Sequence, residues 1–190
     1  MAKLKEIINR EDDSVEIDGI IYRTLDDGTR TVEFPNGKII RHNVDGTMEY
    51  EGKILYMCDK FKFSGMHRVK FTYISSNSVN EHGVILGLYG VDADIFLNGK
   101  KYAVPKGKFP TLDLFEKYLG KEFILDIDLR DGVISIYNGA IVNGFVRYSV
   151  SSLRMIIEDI TPNKKRYYCT EYESSDYECN ALVFEIEILD

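Results

Sequence analysis

The chain has 190 residues, a formal net charge of −7 at pH 7, three cysteines and no tryptophan. This length is enough to bury a hydrophobic core without disulfides or metal. The negative charge argues against binding to nucleic acid or to an anionic membrane, because both attract basic surfaces.

Residues 1–14 are predicted to be an N-terminal extension. They are charged and lack the apolar stretch of a signal peptide, and no later segment has the length of a membrane span. The extension is expected either to fray or to form a short helix through Leu4, Ile7 and Ile8. As written, the sequence predicts a cytoplasmic protein, although a secreted chain from which the signal peptide had been removed would look the same.

Residues 15–52 contain four turn-forming dipeptides at a spacing of nine residues, namely Asp18-Gly19, Asp27-Gly28, Asn36-Gly37 and Asp45-Gly46. Asp-Gly and Asn-Gly favour tight hairpin turns because both residues tolerate positive φ. The spacing leaves room for a strand between successive turns and predicts an up-and-down β-meander. The array resembles the repeated turn-and-strand G-box sheets of centriolar proteins, but it rests on generic turn chemistry and carries no functional inference.

The register of this meander follows if every turn has two residues, and a single three-residue loop would break it. One face would then be on a core and would contain Ile21, Leu25, Val32, Phe34, Ile39, Met48 and Tyr50. The other face would meet water, apart from Tyr22 and Ile40, and would contain Tyr22, Thr24, Thr31, Glu33, Ile40, His42, Thr47 and Glu49.

Residues 53–190 are predicted to form a β-sandwich resembling a jelly roll, either as a separate domain or continuous with the meander. Apolar alternation or apolar runs predict strands at 69–73, 84–89, 93–97, 101–104, 123–129, 133–137, 153–160, 167–169 and 182–188. We expect hairpins around Asn98-Gly99 and Asp131-Gly132. One short helix is predicted at 112–119, with Thr111 as its N-cap and Gly120 at its exit.

The three cysteines, Cys58, Cys169 and Cys179, are predicted to be reduced thiols, because their number is odd and their spacing is wide. A disulfide between Cys169 and Cys179 is the alternative.

The histidines and acidic clusters give no catalytic or metal-binding signature. His42, His67 and His82 lack the spacing of a zinc motif. The register places His42 opposite Thr31 and Glu49, which favours a surface pair over an acid–base couple, and His82 is expected in a loop. The acids Asp126, Asp128 and Asp131 lack the spacing of a calcium loop and fit the pattern of strand and turn residues. We therefore predict no catalytic residue, no metal site and no cofactor.

Four tyrosines are the predicted binding residues. Tyr167, Tyr168, Tyr172 and Tyr177 cluster around the acidic segment 171–178, and tyrosine is enriched at recognition surfaces. The alternative is an ordinary solvated loop between two strands.

These patterns together favour a non-enzymatic β-rich protein that recognises a macromolecular partner by strand addition or through a flat surface. A carbohydrate-binding β-sandwich is the first alternative, and a glycan-processing enzyme with paired carboxylates is the second. The expected partner is a protein or a glycan, and neither nucleic acid nor membrane is expected.

Overall fold

The computed structural model describes residues 6–9, 14–61, 63–102, 110–148, 152–172 and 177–189. Strands make up 62% of it and helix 2%, which confirms the predicted all-β class. The chain divides into two compact units, Met1–Tyr56 and Met57–Asp190. No helix among the described residues is long and apolar enough to cross a membrane.

The first unit is one antiparallel sheet in which each strand pairs with the next along the chain. Its strands are β1 Glu6–Asn9, β2 Ser14–Ile17, β3 Ile20–Thr24, β4 Arg30–Glu33, β5 Ile39–His42, β6 Met48–Tyr50 and β7 Lys53–Leu55. Residues 6–9 are therefore a strand paired with β2, and the helix expected there is wrong. Leu4, the first residue of that expected helix, lies outside the described residues.

The three central turns of this sheet have three-residue loops. In the first of them, the Leu25 amide donates to the Thr29 carbonyl at 2.8 Å, and the intervening loop ends at Gly28, where φ is +84°. The same bond joins Phe34 to Lys38 and Asn43 to Thr47. A type I turn followed by a glycine at positive φ is the common geometry of such loops, so the two-residue turns predicted here are wrong.

The extra loop residue moves each pairing by one position, so each side of the real sheet contains residues of both predicted faces. Tyr22, Val32, Ile40 and Tyr50 lie opposite one another in successive strands. Ile39, predicted for the core face, is 51% exposed, whereas Ile40, predicted for the other face, is 3% exposed. Met48 and Tyr50, also predicted for the core face, are buried on the same side as Ile40, so the buried side of the sheet combines residues of both predicted faces.

The second unit is a sandwich of two antiparallel sheets. Its elements are β8 Asp59–Lys60, β9 Gly65–Ser76, β10 Glu81–Gly87, β11 Asp92–Leu97, β12 Lys100–Tyr102, β13 Thr111–Leu114, α1 Glu116–Leu119, β14 Glu122–Asp131, β15 Ser135–Val142, β16 Phe145–Tyr148, β17 Met155–Thr161, β18 Lys164–Cys169 and β19 Leu182–Ile188. The smaller sheet has the order β13-β10-β15-β16, with β8 also beside β15. The larger sheet has the order β12-β11-β14-β9-β19-β18-β17.

The core of the sandwich lies between these sheets and is built by alternation. In β14, Phe123, Leu125, Ile127 and Leu129 are all buried in it, while the residues between them face outward. Buried apolar residues of β10, β13 and β15 in the smaller sheet form the opposite side of this core. The C-terminal strand β19 pairs with β9 on one side and β18 on the other, as its regular pattern predicted.

The predicted helix at 112–119 is a strand in its first half and a helical turn in its second half. Thr111–Leu114 forms β13 and pairs with β10, so that Leu112 and Leu114 are buried by alternation. Only the single turn α1 is helical, and it begins after Phe115 without a side-chain cap. Gly120 ends it at φ +80°. The apolar residues of this segment fit both the two-residue period of a strand and the 3.6-residue period of a helix. Pairing with the buried strand β10 outweighs the local helix preference.

Two predicted hairpins have different outcomes. The hairpin around Asn98-Gly99 is confirmed, with β11 paired to β12 and both turn residues at positive φ. The hairpin around Asp131-Gly132 is wrong, although both of its segments are strands. There β14 pairs with β9 and β11, whereas β15 pairs with β10 and β16. The chain therefore passes from the larger sheet to the smaller one at this turn.

The three cysteines are free thiols in this structure, with Cys169 buried and Cys58 and Cys179 half-buried. Burial raises the pKa of the Cys169 thiol, and only the thiolate reacts readily with alkylating agents. We expect alkylation without reductant, read by mass spectrometry, to label three thiols in denatured protein and to label Cys169 last in folded protein. A count of one in denatured protein would instead reveal a disulfide.

Candidate functional sites of the sandwich unit

The structure does not bring the four predicted binding tyrosines together. Tyr167 is buried in the core, where its ring stacks on Phe184 with 4.6 Å between centroids. Tyr168 points to the opposite face of β18 and its hydroxyl donates to Glu158 at 2.7 Å. Tyr172 and Tyr177 are half-buried and flank residues 173–176, which lie outside the described residues.

The carboxylate of Glu171, just after β18, is the centre of a polar network. It is surrounded by five groups: the Ser78 hydroxyl, the Val79 amide at 3.3 Å, the Asn80 side-chain amide at 3.0 Å, His82 Nε2 at 2.9 Å and the Tyr172 amide at 2.9 Å. This arrangement ties the connection between β9 and β10 to the chain that leaves β18.

His82 is the buried member of this network. It lies within β10 and its side chain is 0% exposed, so the loop position predicted for it is wrong. Its Nδ1 lies 3.0 Å from Asn138 Oδ1, and the Asn138 amide nitrogen donates to the Thr170 carbonyl at 2.9 Å. Because β10 begins at Glu81, pairing with β15 brings His82 into the sheet.

The environment of Glu171 favours its ionised form. Burial acts to raise its pKa, but hydrogen bonds from Asn80, Ser78, His82 and the Tyr172 amide outweigh that effect and lower the pKa to about 2. The carboxylate is therefore charged throughout the physiological range and is held as an acceptor.

The network contains the residue types of a Ser-His-Glu triad but not its geometry. A triad serine donates to the histidine, whereas Ser78 donates to Glu171. Both His82 ring nitrogens already face Glu171 and Asn138, so neither is directed at Ser78. We therefore assign the network to anchoring the chain rather than to nucleophilic catalysis.

The other candidates predicted from the sequence occupy ordinary positions. His42 lies opposite Arg30 and Met48, so the predicted pairing with Thr31 and Glu49 is wrong, as the shifted register requires.

The acidic strand residues form ion pairs at the sheet surface. Asp126 bonds to Arg68 at 3.0 Å, and Asp128 pairs with Arg130 at 3.3 Å, both on the outer face of the larger sheet. Among the described residues, no three His, Cys, Asp or Glu side chains are arranged to hold a metal ion.

A pocket of about 270 Å³ opens at the end of the sandwich where β18 begins, and we call it the end pocket. Its apolar lining consists of Phe61, Ile136, Pro162, Tyr167, Ile186 and Ile188. Its polar lining consists of Asp59, Lys60, Asp159, Asn163 and Lys165. The lining comes from both sheets, so the pocket is an opening into the layer between them. Glu171 lies at the opposite end of β18.

Asp59 organises the polar part of the end pocket. Its side chain is 12% exposed, and its Oδ2 accepts hydrogen bonds from Lys165 Nζ at 2.7 Å and from the Tyr167 hydroxyl at 3.0 Å. Burial, together with the charge of Asp59, holds the pKa of Tyr167 far above its ordinary value. The tyrosine hydroxyl is therefore a permanent donor, and the three side chains form a fixed group.

The comparisons with known proteins add no functional information. No family model matches the chain, and neither the curated proteins nor the solved structures contain a match.

Sequence reasoning missed both the end pocket and the buried network, although each left a signal in the strand pattern. Lys165 is in phase with the buried Tyr167 and Cys169, and His82 is in phase with the buried Val84 and Leu86. A polar side chain on the buried phase of a strand needs a partner or an opening to solvent.

Proposed function

We propose that the chain is a non-enzymatic binding protein whose sandwich unit accepts an apolar side chain of a protein partner in the end pocket. The observation that carries this proposal is an open pocket between two sheets whose lining combines apolar side chains with charged groups. Protein interfaces likewise combine buried apolar contacts with polar groups.

The size of the pocket favours an anchor side chain over a larger ligand. Pockets for drug-sized molecules and cofactors usually have volumes of about 300–1,000 Å³. The end pocket, at about 270 Å³, is below that range. Single side chains that fill well-packed pockets carry much of the binding energy at protein interfaces.

The polar side chains of the pocket are already held in place before a ligand binds. Asp59 is held by two donors, Lys165 and Tyr167, so its position does not depend on a ligand. A preorganised site reduces the loss of entropy on binding.

A glycan-processing mechanism would require a pair of carboxyl groups available to the substrate. Of the two acids in the pocket, Asp59 and Asp159, Asp59 is already engaged. Recognition through Tyr172 and Tyr177 stays a prediction.

We expect a substitution in the lining of the pocket to lower the affinity for a peptide while the protein stays folded. Ile188 lines the pocket, whereas its neighbour Leu189 is exposed and does not. Peptides selected from a random displayed library on the wild-type protein should contain an apolar anchor residue. Their affinity for Ile188→Arg should be about tenfold lower or worse, because a charged side chain then occupies the opening.

The matched control is Leu189→Arg, which adds the same charge one residue away and should leave affinity unchanged. Urea unfolding of both variants establishes that they are folded. Equal affinity of the selected peptides for Ile188→Arg and for the wild type would contradict binding in the end pocket.

A further inference from the structure

The outer face of the smaller sheet is flattened by three glycines, Gly83, Gly87 and Gly139. Gly83 and Gly139 lie opposite each other in β10 and β15. A Cβ on Gly83 would be 2.6 Å from the Phe115 ring, and one on Gly139 would overlap the Ile85 side chain. Both neighbours therefore lie close against the backbone of the sheet, and Phe115 and Ile85 are fully buried although they belong to its outer side.

Tyr137 lies over the third glycine. A Cβ on Gly87 would be 2.9 Å from a carbon of its ring, so the ring extends across the neighbouring strand. Tyr148 lies opposite Gly139, and its ring is 5.5 Å from that of Tyr137 at an angle of 60°. One half-buried ring thus forms a platform on the sheet, and the other forms a wall beside it.

Asp113 supplies a carboxylate at the same place. It lies opposite Ile85, which in turn lies opposite Tyr137, so the three occupy one row across the sheet. Burial raises the pKa of Tyr148, and the neighbouring Tyr137 and Asp113 raise it further. The two phenol groups and the exposed carboxylate therefore share this face of the sheet, with Ile85 between Asp113 and Tyr137.

We propose that this tyrosine face, made of Asp113, Tyr137 and Tyr148, binds a pyranose ring of a glycan. The C–H face of a pyranose is weakly positive and stacks on the negative face of an aromatic ring, which Tyr137 presents. The hydroxyl groups at the edge of the sugar find an acceptor in Asp113 and a hydroxyl partner in Tyr148.

The outer face of the larger sheet offers a contrast within the same unit. It is crossed by ion pairs such as Arg68–Asp126 and Lys70–Glu122, which occupy the polar groups there. The tyrosine face combines a flat aromatic surface with a carboxylate, and that combination fits a sugar better than a charged ligand. This inference concerns a site separate from the end pocket and does not rest on the function proposed above.

The absence of tryptophan from the sequence makes a direct test possible. Tyr137→Trp introduces a single tryptophan and enlarges the platform. Titration with cellohexaose, chitohexaose and maltohexaose should change its fluorescence with at least one of the three. In calorimetry, Tyr137→Ala should bind that oligosaccharide about tenfold more weakly or worse than the wild type.

Three further variants test whether the oligosaccharide binds at the tyrosine face. Gly87→Ala keeps the tyrosine but displaces its ring, and it should also weaken binding. Tyr168→Ala removes a half-buried tyrosine from the larger sheet, and Ile188→Arg alters the end pocket, so both should bind as the wild type does. If Tyr137→Ala does not fold by circular dichroism, Gly87→Ala and the tryptophan titration decide. Failure of the wild type to bind any of the three oligosaccharides at millimolar concentration, or equal binding by Gly87→Ala, would overturn the proposal.

Discussion

Ile40→Asp is expected to lower the free energy of unfolding by about 4 kcal/mol, because it places an unpaired charge at a buried position. The same substitution at the adjacent residue, Ile39→Asp, should cost about half a kcal/mol, which is usual for the surface. The exposed fractions are 3% for Ile40 and 51% for Ile39. Urea unfolding of the two variants and the wild type measures the difference.

This pair of variants distinguishes the two possible registers of the meander. With two-residue turns throughout, Ile39 would be the buried residue and the larger loss would fall on Ile39→Asp. Equal losses, or a larger loss for Ile39→Asp, would therefore contradict three-residue loops at the central turns.

Glu171→Ala is expected to destabilise the sandwich by about 3 kcal/mol, because it removes the acceptor shared by the groups around it and leaves His82 buried without that acceptor. Glu122→Ala is the control, since the Glu122 side chain is 56% exposed and pairs with Lys70 at the surface. The control should cost at most about 1 kcal/mol. Similar midpoints for the two variants in urea unfolding would argue against an anchoring role for Glu171.

The same carboxylate should make the protein sensitive to acid. The pKa of Glu171 is lowered from 4.5 to about 2 in the folded state, so its contribution to stability is complete above pH 4.5 and is lost as the pH falls towards 2. Glu171→Gln cannot take up this proton. We therefore expect its stability to fall less steeply than that of the wild type in this range, and parallel pH profiles would contradict the assignment.

The repeat of turns in the meander could be predicted from the sequence, but its register could not. In two of the three-residue loops, the side chains of Asp27 and Asp45 accept hydrogen bonds from the backbone amides of Thr29 and Thr47, at 2.8 and 2.9 Å. Asp18, in contrast, takes positive φ in a two-residue turn. Asp-Gly is compatible with both geometries, so the dipeptide predicts a turn without fixing its length.

The candidate sites depend on contacts that are distant in sequence. The end pocket joins Asp59, Ile136, Lys165 and Ile186, which belong to four strands of two sheets. Alternation predicts which side of each strand is buried, and it did so correctly for Phe123 and its alternate neighbours in β14. The order of strands in a sheet is a property of the whole fold, and without it the residues of a pocket or a sheet face cannot be grouped.

Whether the end pocket holds a partner's side chain is tested most directly by NMR of isoleucine methyl groups during titration with a selected peptide. Ile136, Ile186 and Ile188 line the pocket, while Ile74 is exposed elsewhere on the same unit. Binding in the pocket predicts large chemical-shift changes for the three lining residues and none for Ile74. Saturating peptide that leaves all three lining methyl groups unchanged would contradict the proposed site.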